Sequence, residues 1–161
     1  MSNSDNLSLD TKNIDTVLVL DFGSQYTQLI ARRIRELNVF SVILPCDVST
    51  EKIRSLNPMG VILSGGPESV TESNTPRIPE IIFELDVPVL GICYGMQTLA
   101  EQFGGQVSSS KNKEFGHAQI VLEKSSLLFD GFSSGSSVDV WMSHGDHVST
   151  LPDGFNLIAS T

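Results

Sequence analysis

The segment Gly91-Ile92-Cys93-Tyr94-Gly95-Met96-Gln97 is where residue type and spacing speak most directly of chemistry. It has the form G-x-C-x-G and stands between an apolar run, Val87 to Ile92, and a segment of helical period. This is the thiol counterpart of the G-x-S-x-G turn that lifts a nucleophile out of a sheet. Glycines on either side of the cysteine suit a turn too tight for Cβ atoms at those positions. A helix beginning there would aim its first amides and positive dipole end at the sulfur, favouring thiolate over thiol. The Tyr94 N–H would lie beside any tetrahedral centre formed on Cys93. A free cysteine is more often a small buried hydrophobe. A packed core position does not require flanking glycines, however, and the nucleophile reading is the stronger.

Two other loops add to it. Ser64-Gly65-Gly66-Pro67 follows the apolar run Val61-Ile62-Leu63. Paired glycines let the backbone approach a ligand and aim amides at it, so the Gly66 N–H is the expected second oxyanion donor. Alone, Gly-Gly-Pro is only a turn signal. Trp141-Met142-Ser143-His144-Gly145-Asp146-His147 follows the strand-like Val138-Asp139-Val140. Read as a turn, it offers Asp146 to an ammonium group, and His144 or His147 either as a base for Cys93 or as a surface histidine. His117 and His147 are read as structural. No His, Asp or Glu pair has ligand spacing plus a third partner, so no metal site is expected. Asp21-Phe22-Gly23 spells a kinase magnesium motif but lacks the upstream lysine strand and catalytic loop. Neither G-x-x-x-x-G-K-[ST] nor G-x-G-x-x-G occurs.

Positioning three such loops requires elements in alternation. Val17 to Leu20, Val39 to Leu44, Val61 to Leu63 and Val87 to Ile92 read as strands. Tyr26, Leu29, Ile30, Ile34 and Leu37 fall on one helical face, and Met96, Leu99, Ala100 and Phe103 on another. Ser49 or Thr50 caps a short helix with Ile53 and Leu56, closed by Pro58. Pro76 suits the start of a helix carrying Ile78, Ile81, Ile82 and Leu85. Strands without crossover helices follow at 118–122, 138–142 and 155–159. Continuously apolar strands alternating with helices predict an α/β fold, a doubly wound, mostly parallel sheet with helices on both faces. Ligands then bind beyond the carboxyl ends of the strands, and the loops after Leu20, Leu63 and Ile92 lie at such ends.

The bulk composition excludes some functions. A net charge of −9 over 161 residues argues against nucleic-acid binding, which needs clustered Lys and Arg. No apolar run reaches the roughly 20 residues of a membrane-spanning helix. Two distant cysteines, Cys46 and Cys93, are neither a disulfide framework nor a zinc-knuckle spacing, and a reduced, cytoplasmic setting is expected. Residues 1–15 are polar and read as a disordered tail before a domain at 16–161. Cys46 is expected to pack at a strand end.

The phrases Val19-Leu20-Asp21-Phe22-Gly23-Ser24-Gln25-Tyr26-Thr27-Gln28-Leu29, Leu63-Ser64-Gly65-Gly66-Pro67-Glu68-Ser69, Gly91-Ile92-Cys93-Tyr94-Gly95-Met96-Gln97 and Trp141-Met142-Ser143-His144-Gly145-Asp146 resemble the type-1 glutamine amidotransferases. Within them, they are most similar to the amidotransferase domains of GMP synthetases. The match runs from about Thr16 to the last residue. The resemblance implies a flavodoxin-like, class I amidotransferase architecture and a γ-glutamyl thioester on Cys93, with oxyanion support from the Gly66 and Tyr94 amides. It places L-glutamine against Gly65, Gln97, Ser143, His144, Gly145 and Asp146, with Asp146 pairing the α-ammonium. It implies no cofactor in this domain. Ammonia would pass to a synthetase (ATP pyrophosphatase) domain of the same parent chain, which uses ATP and Mg2+ to aminate xanthosine monophosphate. The parent would be a homodimer. The family's base and orienting acid, a His-Pro-Glu, would fall past Thr161, so the domain is expected to be incomplete at its C-terminus. Two alternatives remain open here: a DJ-1-like protein acting on aldehydes or peroxide, and a non-catalytic glutamine-binding domain.

Overall fold

The computed structural model describes residues 15–161, apart from the side chains of residues 110–115 and of His144. The expected disordered tail falls, but for residue 15, outside the described residues. Four strands form a parallel sheet: β1 (Thr16–Asp21), β2 (Phe40–Pro45), β3 (Gly60–Leu63) and β4 (Val89–Gly91), in the order β2-β1-β3-β4. β1 is paired on both edges, Val19 lying opposite Ile43 and Ile62. Its Leu18, Val19 and Leu20 have no exposed surface, as expected of a strand covered on both faces.

The strand order reverses direction at β1. A right-handed crossover from β1 to β2 carries α1 (Thr27–Glu36) over one face. Crossovers from β2 to β3 and from β3 to β4 run the other way, so α2 (Thr50–Leu56) and α3 (Ile81–Glu84) cover the opposite face. An Arg54–Glu84 ion pair at 2.7 Å joins these two helices. The mostly parallel, doubly wound architecture expected from the sequence is therefore the observed one. Among the described residues, no helix is long and apolar enough to cross a membrane.

Several local expectations are corrected. α1 buries Thr27 and Ala31 with Ile30 and Ile34 beside them, leaving Tyr26, Leu29 and Leu37 exposed. The helix is rotated because Thr27 is held inward: its hydroxyl donates to Asp21 Oδ1 at 2.8 Å. The helix expected from Pro76 begins only at Ile81. Pro79 disfavours helical backbone at Ile78 before it, and its own carbonyl starts the helix by accepting from Ile82 N–H at 3.0 Å. α4 (Tyr94–Gln102) buries Gln97 and Thr98 as well as Ala100, and Met96 and Phe103 are exposed.

β5 (Gln106–Leu122), β6 (Ser137–Thr150) and β7 (Ala159–Ser160) form a separate antiparallel sheet in the order β6-β5-β7. The Ser143–Asp146 stretch is strand and not a turn. The register shifts there, Ser109 facing Asp146 while Glu114 faces His144, and such a bulge re-aims side chains as a turn would. Residues 155–158 are not strand. Phe155 leaves the sheet to meet Phe103, ring centres 5.6 Å apart. Cys46, just past β2, packs against the core.

The core should be least forgiving at β1. Leu20→Ala should cost ~2–5 kcal/mol by urea denaturation, because its cavity lies under packed strands on both sides. Leu127→Ala, at a residue 98% exposed, should change stability by no more than ~0.5 kcal/mol. Equal losses at the two positions would contradict this placement of the core.

Candidate active site

Cys93 has φ +48° and ψ −112°, a conformation costing an ordinary residue ~1–3 kcal/mol and kept only where neighbours over-determine it. Those neighbours are visible. Gly95 N–H is shared between the Ile92 and Ser64 carbonyls, each at 3.0 Å, and Ile92 N–H donates to Leu63 O at 3.0 Å. A Cβ on Gly91 would come within 2.6 Å of Met96 Cα, and one on Gly95 within 2.5 Å of Leu63 O. Both glycines are thus required by close approach, and the strain falls on the cysteine between them. The turn is the elbow read from the G-x-C-x-G spacing.

Cys93 stands in a wall shared by two cavities of about 550 and 340 Å³, along with Gly66, Pro67 and Ser143. Tyr94, Gln97, Gly145 and Asp146 line the larger one. Gly65 lines the smaller, beside Ser24 and Tyr26, and not the larger. Of the residues singled out from sequence, only the His144 side chain cannot be placed, lying outside the described side chains. The Gly66 and Tyr94 N–H groups have no acceptor among the described residues.

Gln97 and Asp146 meet each other. Gln97 Nε2 donates to the Asp146 carbonyl at 2.9 Å, tying α4 to β6. The Asp146 carboxylate accepts from Ser69 Oγ at 2.5 Å. The sequence reading missed Ser109 on β5 and, on the loop after Gly66, Glu68, Ser69, Thr71 and Glu72, all of which line the larger cavity. The polar composition of residues 68–72 marks only a loop, and the signals that hold it in place lie elsewhere in the chain. Tyr94 Oη donates to Pro76 O at 2.5 Å, and Arg77 pairs with Glu101 and donates to Val70 O. Gln102 binds both the N–H and the carbonyl of Ile78, at 2.8 and 3.1 Å. Among the described residues, the cavity lining thus brings Gly66, Tyr94 and the Cys93 thiol together with the carboxylates of Glu68, Glu72 and Asp146.

One expectation is reversed by burial. Cys93 is exposed to the cavities, yet protein packed around the sulfur desolvates the thiolate and pushes the thiol above its ordinary range. Among the described residues, no cationic side chain lines either cavity to offset it. Burial also raises the Cys46 thiol, with the Asp47 and Asp21 charges adding to it. Among the described side chains no histidine lines the cavities: His117 pairs with Asp139 at 3.0 Å on the exposed face of the antiparallel sheet, and His147 is exposed.

The thiolate is the reactive form, so a raised pKa leaves less of it at neutral pH. The rate of Cys93 alkylation by iodoacetamide should climb about tenfold per pH unit from pH 7 and should not level off below the ordinary thiol pKa. Cys93 should still react ahead of Cys46, which is less accessible. Site-resolved mass spectrometry across pH reads both, and a plateau near neutrality would show a thiolate held by charge.

Known proteins share the sequence and the fold of this chain. Residues 18–161 match the family model for glutamine amidotransferase class-I. The chain is 59% identical over 159 residues to a protein of Teredinibacter turnerae named GMP synthase [glutamine-hydrolyzing], covering 94% of this chain and 30% of that one. A protein of the same name from Colwellia psychrerythraea is 56% identical over 151 residues, 90% of this chain and 29% of its own. The chain thus spans about 30% of the length of these relatives. A crystal structure of a candidate GMP synthase subunit from Thermoplasma acidophilum superposes with a TM-score of 0.77 at 33% identity, covering 92% of this chain and 74% of that one. A glutamine amidotransferase from Thermotoga maritima shares the fold, with a TM-score of 0.68 at 24% identity, 91% of this chain and 67% of that one. With the family model matching from the first strand to the last, this chain belongs to the class-I glutamine amidotransferase family.

Proposed function

We propose that this chain is the glutamine-hydrolysing part of a GMP synthase, with Cys93 as the nucleophile. The observation that carries the reading is the strained Cys93 turn, set in the wall of a cavity with the Gly66 and Tyr94 amides beside it and carboxylates beyond. The names of the relatives support it. The sulfur attacks the side-chain amide carbon of glutamine, forming a C–S bond as the carbonyl π electrons move onto oxygen. The Gly66 and Tyr94 N–H groups face that charge, and such donors are usually the largest catalytic term. Collapse of the tetrahedral centre breaks the C–N bond, and the proton given up by the thiol goes to the departing NH2 group, which leaves as neutral ammonia. Water then cleaves the thioester to glutamate and restores the thiol. Asp146, beside Glu68 and Glu72, receives the α-ammonium of the substrate, while Gln97 and Ser143 shape the same wall. Gly65 acts from the other side by positioning its neighbour.

Free ammonia is protonated near neutral pH and is then no nucleophile, so it is passed directly to an acceptor domain of the parent chain. There xanthosine monophosphate would be aminated, with ATP and Mg2+ serving that domain and no step in this one. The parent protein is placed in the cytoplasm, as a homodimer that binds neither nucleic acid nor membrane, on the resemblance and the charge.

A diazo-ketone analogue of glutamine should label Cys93 and spare Cys46, and excess glutamine should block it. Asp146→Asn keeps an acceptor for Ser69 but removes the charge. It should weaken glutamine protection by the ~1.5–3 kcal/mol of a charge-assisted bond, and leave protection by the analogue lacking the α-amino group unchanged. Glutamine-insensitive labelling, or equal protection constants in the two proteins, would overturn the assignment.

Turnover should be slow in this chain on its own. A raised thiol with no described base at the cavity forfeits general acid–base help worth typically ~10²–10⁴-fold. A coupled ammonia assay beside the full-length Teredinibacter turnerae relative reads the difference. Equal rates would place the base within these 161 residues, with His144 the first to substitute.

A further inference from the structure

We propose that Ser64 is a positioning residue for oxyanion binding: its hydroxyl latches the Gly65–Gly66 peptide so that the Gly66 N–H faces Cys93. The inference rests on the reading of Cys93 as the nucleophile that attacks the glutamine amide.

Ser64 has no exposed surface. Its hydroxyl accepts from Phe22 N–H at 3.0 Å and donates to Gly65 O at 2.8 Å. A hydroxyl has one proton to give. The incoming Phe22 N–H occupies its acceptor side, so that proton is committed to the Gly65 carbonyl. The chain contains no cis peptide among the described residues, and across a planar trans peptide the C=O and N–H point in opposite directions. Drawing the Gly65 carbonyl into the protein therefore turns the Gly66 N–H outward, to the cavity wall that Gly66 shares with Cys93.

Little else resists rotation of this peptide. Both flanking residues are glycines, which populate either sense of φ at small cost. Once flipped, the peptide would present a carbonyl oxygen to the developing oxyanion in place of a donor. The α-carbon of Gly66 is confined separately, since a Cβ there would lie 2.6 Å from Phe22 O. The latch thus governs the orientation of the peptide, not the position of the loop. Ser64 is also bonded through its backbone to β1 and to the first turn of α4, its N–H to Leu20 O and its carbonyl to Gly95 N–H, each at 3.0 Å. These backbone bonds survive removal of the hydroxyl.

Two electrophiles separate orientation from structure. Addition of the Cys93 thiolate to a glutamine-derived chloromethyl ketone passes through an oxyanion, whereas displacement of iodide from iodoacetamide does not. In Ser64→Ala, ketone modification of Cys93 should slow about 10- to 100-fold, somewhat less than the cost of deleting an oxyanion donor outright, while iodoacetamide modification changes less than about twofold. Ser64→Cys, close in volume and a weaker donor, should fall between, with modification mapped at Cys93. If Ser64→Ala does not fold, Ser64→Cys decides alone. An unchanged ratio of the two rates overturns the proposal, and an equal loss with both reagents makes Ser64 merely structural and overturns it too. A wild-type chain that reacts with iodoacetamide but not with the ketone would remove the glutamine reading itself, and the latch with it.

Discussion

The site depends on how closely the first turn of α4 lies against the end of β3. Gly95 sits on the Leu63 carbonyl at a distance no Cβ could share, and its N–H reaches two carbonyls, one on each side of the turn. That contact leaves the chain between β4 and α4 too few residues to turn in relaxed conformations, and Cys93 absorbs the difference at φ +48°. A strained backbone is held only by the packing around it. Here the packing is the parallel sheet itself, since β3 is paired on both edges and Val61 and Leu63 are buried. The geometry of the thiol therefore depends on the integrity of the sheet.

α4 does more than follow the cysteine. Its side chains hold the loop after Gly66, through Tyr94 to Pro76, Glu101 to Arg77 and Gln102 to Ile78, and Gln97 holds β6. This explains why a helix with an apolar stripe buries Gln97 and Thr98. A buried amide costs free energy unless it is bonded, and the bonds made here place the cavity's far wall. The antiparallel sheet, which is separate from the parallel one, is tied to the site by Gln97 of that helix and by Ser69 of the loop it holds.

Much of this was legible in the sequence, and the failures have physical causes. The parallel strands were readable because both of their faces are buried, so they are apolar without interruption. The elbow was readable because close approach leaves glycines behind. The helical faces of α1 and α4 were misread because their inward residues include Thr27, Gln97 and Thr98, whose burial depends on partners distant in sequence. Ser-His-Gly-Asp read as a turn because its small and polar residues also suit a turn, while the register shift beside it arises from extra residues on β5, between Ser109 and Glu114. The acid wall was invisible for a related reason: nothing in Glu68 to Glu72 shows that Pro76, Arg77 and Ile78 are fastened to a helix farther along the chain.

The electrostatics divide the cavity into two ends. The thiol of Cys93 is raised by desolvation, and the carboxylates of Glu68, Glu72 and Asp146 line the same cavity. A substrate with a cationic end and an amide end, joined by a short apolar chain, suits such a division. In the proposed reaction the acidic wall takes the ammonium and fixes which way round the molecule lies, while the drier end keeps the sulfur neutral until a base arrives. A thiol activated permanently by a cation would react with any electrophile that entered. One raised by burial holds less thiolate and is less reactive toward such electrophiles, so desolvation favours selectivity.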